Sequence, residues 1–338
     1  MNYGFIWEHR ATIGHLITGY VPMLELNLVK PCDGHKLWQC ENNKPDIGVH
    51  FTYIDFGNPK VLGQAYALAP FVEIPLNKKV RWSRPIFRVS WGLAYVTKKF
   101  DVETNHKNVA IGSHWNVFVQ YRFMWHFDLS EKFRLEPGVG ISHCSNGRMQ
   151  VPNLGLNLIS ANLGLTYKFK DPKCERTTID SSTKVPSRNE LLFWYGIGAN
   201  DRDPPGTGVK MIAHTISANY FYNIRNTSKL GLGADVFYEE SYLREMDDYH
   251  IPYPGFTDKL RVGVKGNYSY NIGRISLPLE VGYYVYSKKN VDGPVYSRFG
   301  IRYTGAKGLM VQFALKTHFA IAYHFDLAVG YRLPLKKK

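Results

Sequence analysis

Three polar residues within residues 141–157 have the types and the spacing of an acyl-transfer site. His143 and Ser145 are two positions apart, and Asn157 follows the serine after twelve more. Side chains at positions i and i+2 of a β-strand point to the same face, so a strand would place the histidine beside the serine. If a loop and a second strand follow, Asn157 returns opposite them. The spacing predicts a Ser-His-Asn triad, in which geometry rather than chain order defines the roles.

The predicted chemistry gives each of these residues a role. Ser145 is the nucleophile, His143 accepts its proton, and Asn157 holds the imidazole in the required tautomer. A histidine and a serine at this spacing are also common by chance, and a histidine at a barrel rim is often only interfacial, so a non-catalytic interpretation stays open. The neighbouring candidates for oxyanion stabilisation or substrate contact are Asn146, Gly147 and Arg148.

The elements that must position these residues are predicted from alternation between apolar and polar residues. Over residues 115–125 the odd positions hold only Trp, Val, Tyr and Phe, whereas the even positions include Asn116, Gln120 and Arg122. One strand of this kind also suits a soluble sheet. Long strands with aromatic residues at the ends of the apolar face are typical of a transmembrane β-barrel, in which closure pairs every backbone group.

The pattern predicts an all-β, antiparallel outer-membrane barrel protein with about sixteen strands. Residues 1–169 form the part that carries the site, the polar residues 170–188 form a linker, and residues 189–338 form a diverged second half. Either two eight-stranded barrels follow one another, or all strands close one large barrel. Bulky residues on the inner face favour two small, filled barrels. These residues are Phe118, Arg122, Met124 and His126.

The predicted strands are 2–9, 20–30, 46–56, 62–76, 85–100, 113–127, 133–146, 156–169, 190–201, 211–224, 229–242, 258–272, 274–287, 294–304, 308–320 and 323–335.

Strand parity and strand direction predict where the site faces. His143 and Ser145 share the apolar face of strand 133–146, and Asn157 begins the apolar face of the next strand, so all three are expected to face lipid. With a periplasmic N-terminus, the seventh strand runs outward and the eighth returns. The triad is then at the outer leaflet, and Arg148 is placed to contact lipid phosphates. By contrast, His318 falls on an inward position and is expected to be structural.

Composition limits the classes of partner. The chain has 338 residues with 42 Lys+Arg and 28 Asp+Glu, a net charge of +14 that favours anionic partners. The basic residues are dispersed and no recognition motif is present, so nucleic acid is not expected. No apolar run is long enough for a transmembrane helix. Residues 1–20 lack an apolar signal core, so an export signal is not expected within this sequence. Cys32 and Cys40 are close enough in sequence to pair in an oxidising compartment.

The motif around the triad resembles that of a known family. His143-Cys144-Ser145-Asn146 and Pro152-Asn153-x-Gly155 resemble the signature of the lipid A 3-O-deacylase (PagL) family, eight-stranded outer-membrane barrels with a lipid-facing His-x-Ser-Asn site. The resemblance covers about residues 1–169. It implies a serine esterase that removes an acyl chain from lipid A in the outer membrane of a Gram-negative bacterium, and it implies no cofactor.

A second resemblance keeps an alternative open. The same motif with Asn157 also looks like that of outer-membrane phospholipase A, which uses Ser-His-Asn and calcium, whereas the type member of the deacylase family has Glu at this position. Under that alternative the substrate is phospholipid and calcium is required. A non-catalytic structural, adhesive or pore-forming barrel is a third possibility. The oligomeric state is left open by all three.

Overall fold

The structure, a computed structural model, describes residues 1–77, 82–169, 189–201, 205, 207–290, 292–319 and 321–335. Within these residues the strands form two closed antiparallel barrels of eight strands each. The all-β prediction of about sixteen strands is therefore confirmed, in its two-barrel form. The segment 170–188, predicted as a linker, lies outside the described residues, as does Cys174.

The first barrel closes through pairing between its first and last strands. Asn2 lies opposite Asn162 and Phe5 lies opposite Ile159, so this sheet has no free edge. The other strands pair with their sequence neighbours. The strands are β1 (Asn2–Ile6), β2 (Val21–Pro31), β3 (Asp46–Asp55), β4 (Gln64–Pro75), β5 (Ser83–Val96), β6 (Trp115–Asp128), β7 (Phe133–Ser145) and β8 (Leu156–Tyr167).

The interior of the first barrel is filled by side chains, as the bulky inward residues predicted. Phe118 and Met124 are buried in it. Arg88 crosses the lumen and donates hydrogen bonds to Glu25 Oε1 at 2.8 Å and, through Nε, to Glu73 Oε1 at 2.8 Å. Pairing of this kind is needed, because a buried charge without a partner destabilises a protein strongly.

The second barrel repeats this design with different residues. Its closure pairs the first strand with the last, for example Trp194 opposite Gly330. Inside, Lys265 Nζ lies 2.7 Å from Glu280 Oε2, and Arg298 Nε lies 2.9 Å from Asp326 Oδ2. The strands are β9 (Asn189–Asn200), β10 (Met211–Arg225), β11 (Ser228–Glu239), β12 (Leu260–Ile272), β13 (Ile275–Tyr286), β14 (Val295–Thr304), β15 (Leu309–His318) and β16 (Ile321–Leu335).

Short helices interrupt regions for which only strands and loops were predicted. The helices are α1 (Leu37–Glu41) and α2 (Glu240–Asp248), with 3-10 turns at Ala11–Leu16 and Thr257–Lys259. The strand predicted over 229–242 ends at Glu239. The chain then turns into α2, because Tyr242 and Met246, four positions apart, bury one helical face. Among the described residues, no helix is long and apolar enough to cross a membrane.

Two further predictions concerned the possible pairing of Cys32 with Cys40 and the inward position of His318. Cys32 and Cys40 are free thiols in the structure, and the Cys40 thiol donates a hydrogen bond to the Gly34 carbonyl at 3.1 Å. His318 lies inside the second barrel with a 2% exposed side chain, and its Nε2 is 3.0 Å from the Tyr284 hydroxyl. This placement matches the inward, structural position predicted for His318.

Candidate active site

The triad candidates lie where β7 ends and β8 begins. In the register of these two strands His143 is directly opposite Asn157. On the other side of β7, Val119 of β6 is opposite His143 and Val117 is opposite Ser145. Because the side chains of directly opposed residues are neighbours on one face of a sheet, this register brings His143 and Asn157 together. The three residues therefore meet through strand pairing, although Asn157 is distant from the others along the chain.

Two hydrogen bonds link the three side chains. His143 Nε2 lies 2.8 Å from Ser145 Oγ, and His143 Nδ1 lies 2.7 Å from Asn157 Oδ1. An amide oxygen can only accept a hydrogen bond, so Nδ1 carries the proton and donates the hydrogen bond to Asn157. Nε2 then has a free lone pair and accepts a hydrogen bond from the Ser145 hydroxyl. This tautomer is the one that a general base needs to remove a proton from serine.

The triad shares the outer face of the barrel with apolar side chains. Along β7, Cys144 is fully buried in the interior, whereas Val139 and Ile141 on the triad's face are 58% and 36% exposed. Along β8, Leu158 is fully buried and Ile159, on the face of Asn157, is 36% exposed. This alternation places the three polar residues at the margin of an outward apolar surface, on the face that strand parity predicted.

The loop between β7 and β8 (residues 146–155) is hydrogen-bonded to the loop between β5 and β6 (residues 97–114). The backbone N–H groups of Leu154 and Gly155 donate to the carbonyl oxygens of Val109 and Ala110 at 3.3 and 3.0 Å. Within the loop, the Asn153 Oδ1 accepts a hydrogen bond from the Asn146 backbone N–H at 3.0 Å. These contacts fix both ends of the turn that carries the chain from Ser145 to Asn157.

Gly155 is required by the geometry of the site, a role that motif spacing alone did not reveal. Its φ of +74° lies in the left-handed region, which disfavours residues with a Cβ. A Cβ atom at this position would lie 2.8 Å from His143 Cε1 and 3.2 Å from Ser145 Cβ. The glycine therefore leaves the space in which the imidazole and the serine meet.

The predicted oxyanion donors differ in their surroundings. Both amide hydrogens of Asn146 are donated within the loops, to Ser113 Oγ at 2.9 Å and to the Gln150 carbonyl at 2.9 Å. The side chain thus organises the loop. Gly147 and Arg148 follow with φ values of 62° and 69°. Within the described residues the Gly147 N–H makes no intramolecular hydrogen bond, which leaves it the better candidate for an oxyanion donor.

One cluster in the first barrel has metal-binding residue types. Single ligand atoms of Asp46, Glu73 and His126 lie within 4.8 Å of one another. However, Arg134 Nη1 donates to His126 Nδ1 at 3.2 Å, so the imidazole proton is on Nε2, which lies 3.7 Å from both Glu73 Oε2 and Glu136 Oε1. A cation can bind Nε2 only if that nitrogen has no proton. The proton of the neutral imidazole would then be on Nδ1, where two N–H donors, Nδ1–H and the Arg134 guanidinium, would face each other. The cluster therefore suits a network of ion pairs better than a metal.

Two family models match the chain. Residues 24–166 match the model described as lipid A 3-O-deacylase (PagL). Residues 189–337 match the model described as the C-terminal domain of acyloxyacyl hydrolase. The first match includes β7, the loop after it and β8 except its last residue, and the second covers all the strands of the other barrel. The comparison with curated proteins found no match.

Solved structures with similarity to the chain include a porin and a siderophore receptor. A mutant of Rh. blastica porin is 13% identical, over 98% of this chain and 97% of that one, with a TM-score of 0.19. The siderophore receptor PirA from Pseudomonas aeruginosa is 8% identical, over 93% of this chain and 63% of that one, with a TM-score of 0.21. Similarity at these TM-scores supports no argument about this chain.

Proposed function

Because the chain belongs to the lipid A 3-O-deacylase (PagL) family, a family of carboxylic ester hydrolases, we propose that Ser145, His143 and Asn157 are its catalytic triad. The reaction is hydrolysis of an ester-linked acyl chain of lipid A at the outer leaflet of a Gram-negative outer membrane. The observation that carries this proposal is the pair of hydrogen bonds that joins His143 to Ser145 at 2.8 Å and to Asn157 at 2.7 Å.

The reaction proceeds in two steps. Ser145 Oγ attacks the ester carbonyl carbon while His143 Nε2 takes the hydroxyl proton. The bond from the acyl carbon to the sugar oxygen then breaks, and the imidazolium returns its proton to the leaving sugar hydroxyl. In the second step water, deprotonated by His143, attacks the acyl-serine and releases the fatty acid together with the restored serine. Asn157 keeps the imidazole oriented throughout by accepting the Nδ1 hydrogen bond.

Stabilisation of the tetrahedral intermediate is assigned to the backbone at Gly147. A backbone N–H aimed at the developing oxyanion is a common and effective stabiliser of such intermediates. The Asn146 side chain supports the same turn through Ser113 and Gln150. We assign Arg148 to contact with a lipid A phosphate, since a guanidinium binds phosphate through two parallel hydrogen bonds.

The placement of the site supports a lipid substrate. The triad lies at the barrel end that carries the connections 7–20 and 97–114, whereas the opposite end carries one long connection, 32–45, and the short ones 76–82 and 129–132. The end with the longer connections faces outward in bacterial outer-membrane barrels. The apolar face below the triad includes Val139 and Ile159. An acyl chain lying on this face would bring its ester bond to the level of Ser145 without leaving the lipid phase.

Mass spectrometry of lipid A tests the proposed function. Lipid A from cells expressing the wild-type protein is expected to lack one ester-linked acyl chain, and Ser145→Ala is expected to leave all chains in place. Heat-modifiable migration on gels shows whether each protein is a folded barrel. If folded wild-type protein leaves lipid A unchanged, or if Ser145→Ala removes the chain equally well, the proposed function is wrong.

The identity of residue 157 favours one second candidate, a phospholipase A. The His143 partner is a neutral amide oxygen, as in the outer-membrane phospholipase motif, whereas the type deacylase has Glu there. Purified protein can be assayed with phosphatidylethanolamine vesicles, with calcium or with a chelator. Calcium-stimulated release of fatty acid by wild-type protein but not by Ser145→Ala, together with intact lipid A, selects this alternative.

A further inference from the structure

A polar cavity of about 260 Å³ lies at the end of the second barrel where short turns join the strands. The turns between β10 and β11, between β12 and β13 and between β14 and β15 contribute to its wall, as do Glu190 near the start of β9 and Arg332 near the end of β16. Because short turns are periplasmic in bacterial outer-membrane barrels, the cavity is expected to open toward the periplasm. This end has no part in the proposed ester hydrolysis.

The cavity is positively charged. Lys229, Arg274 and Arg332 line it, and Glu190 is the single acidic residue among the lining residues that the structure describes. Lys229 pairs with Glu190 through Nζ and Oε1. Three positive groups and one negative group leave a net charge of +2. The excess positive charge favours an anion with more than one negative charge.

The donors in the wall are available for such an anion. Arg332 Nε is buried and has no hydrogen-bond partner in the described part of the chain, which is costly for a charged group unless a ligand supplies an acceptor. Among the described residues, the Arg274 guanidinium makes one side-chain hydrogen bond, from Nη1 to the exposed Tyr303 hydroxyl at 3.4 Å. The hydroxyl groups of Ser276 and Thr304 add neutral donors to the same wall.

We propose that this cavity binds a small phosphoryl anion, either inorganic phosphate or a small phosphomonoester. Two guanidinium groups present paired N–H donors that match phosphate oxygens, and a phosphate dianion balances the net charge of +2. The volume of about 260 Å³ lies just below the range of about 300–1,000 Å³ typical of pockets for drug-sized ligands. A larger lipid or oligosaccharide does not fit it.

Isothermal titration calorimetry on the full-length protein in detergent micelles tests this proposal with inorganic phosphate as the probe. Wild-type protein is expected to bind phosphate, and the double variant Arg274→Gln/Arg332→Gln is expected to bind it at least about tenfold more weakly, because charged hydrogen bonds are lost. The matched control is Arg225→Gln, an exposed arginine at the same end of the barrel that does not line the cavity. The control is expected to bind like wild type.

A variant that is expected to bind phosphate more tightly, rather than more weakly, keeps the test independent of folding defects. Glu190→Gln removes the carboxylate that competes for Lys229, so it is expected to bind phosphate more tightly than wild type. Titrations with glycerol 3-phosphate distinguish the two sources of the phosphoryl group: binding favours a phosphomonoester, whereas binding of inorganic phosphate alone favours the free anion. Acetate is expected to bind far more weakly than either.

Three results would overturn the proposal. They are the absence of phosphate binding by folded wild-type protein, an equal loss of binding in Arg225→Gln and in the double variant, and acetate binding as tight as phosphate binding. Ser145→Ala is expected to bind phosphate like wild type. Failure of the phosphate site and failure of the proposed esterase are therefore distinguishable.

Discussion

At the scale of single residues, the arrangement of His143 follows from one partner that accepts a hydrogen bond and one that donates it. The Asn157 amide oxygen accepts the hydrogen bond from Nδ1–H, and this leaves the Nε2 lone pair to accept the hydrogen bond from the Ser145 hydroxyl. An asparagine orients the imidazole as a carboxylate does, but it has no charge with which to stabilise the imidazolium. In the proposed mechanism, the identity of residue 157 therefore affects the height of the reaction barrier more than the position of the imidazole ring.

Replacement of Asn157 tests this orienting role. Asn157→Ala is expected to lower kcat by about 10²–10⁴-fold, because the imidazole loses the acceptor that selects its tautomer. Asn157→Asp keeps an acceptor and is expected to lose much less activity. Release of fatty acid from lipid A by purified protein measures both. Leu163→Ala, an exposed change on the same face of β8, is the control, and an Asn157→Ala protein as active as this control would contradict the orienting role.

Gly155 gives a second prediction about a single residue. Gly155→Ala is expected to reduce fatty-acid release by at least about tenfold, because the new Cβ would lie 2.8 Å from His143 Cε1 and must move the imidazole. The left-handed backbone also costs about 1–2 kcal/mol of stability once a Cβ is present.

A matched glycine separates the two effects. Gly208 has a φ of +69° and nothing within 4 Å of the position of a Cβ, so Gly208→Ala adds backbone strain without contact with the triad. This variant is expected to keep its activity. Similar losses of activity in the two variants would show that Gly155 acts through general stability rather than through the space beside His143.

At the scale of elements, the β7–β8 hairpin and its loop carry all three residues of the proposed triad. Strand pairing sets His143 opposite Asn157, and the loop sets the position of Ser145 at the last residue of β7. The loop in turn is fixed by backbone hydrogen bonds from Leu154 and Gly155 to the loop between β5 and β6. The site is therefore built on rigid strands, and only its serine depends on the loop.

Weakening the loop is expected to affect activity more than folding. Asn153→Ala removes the acceptor of the Asn146 N–H, a hydrogen bond of 3.0 Å, which is expected to cost about 1 kcal/mol. Because Asn146 follows the nucleophile directly, kcat for lipid A hydrolysis is expected to fall about tenfold, an effect typical of small misplacements. Heat-modifiable migration is expected to be unchanged. Asn290→Ala, an exposed loop asparagine in the second barrel, is the control, and equal kcat values in both variants would contradict this account.

At the scale of the whole molecule, the chain consists of two sheets that each close on themselves. In the first, β1 pairs with β8, and in the second, β9 pairs with β16. Both interiors are crossed by buried ion pairs, such as Arg88 with Glu25 and Arg298 with Asp326. Such interiors agree better with a filled scaffold than with a pore, which was one of the non-catalytic alternatives beside a structural or an adhesive barrel.

The closure of the first sheet predicts that residues 1–169 fold without the second barrel. A chain of these residues, refolded in detergent, is expected to show heat-modifiable migration and a β-sheet circular dichroism spectrum. The pairing that closes the sheet, from Asn2 opposite Asn162 to Ile6 opposite Leu158, lies entirely within these residues. A chain of residues 1–155, which lacks β8, is the control and is expected not to fold. Failure of residues 1–169 to form a heat-modifiable barrel would show that closure depends on the rest of the chain.

Features that depend on local periodicity could be predicted from the amino-acid order alone. Side chains alternate every two residues along a strand, so the apolar pattern was sufficient to predict strands, their outward faces and the adjacency of His143 and Ser145. It also predicted the inward position of His318. Local pattern was less reliable where an element changes type, as at Glu239, where a strand gives way to α2, because the few residues at a boundary do not distinguish a period of two from a period of 3.6.

Features that join distant parts of the chain required the folded structure. The chain forms two barrels if β8 pairs with β1, and one large barrel if β8 pairs with β9. This choice depends on contacts such as Asn2 with Asn162, which no local pattern encodes. The same holds for the hydrogen bonds of Asn146, for the space left by Gly155 and for the cavity around Arg332. In each case the position is set by neighbours that strand pairing brings together from separate regions of the sequence.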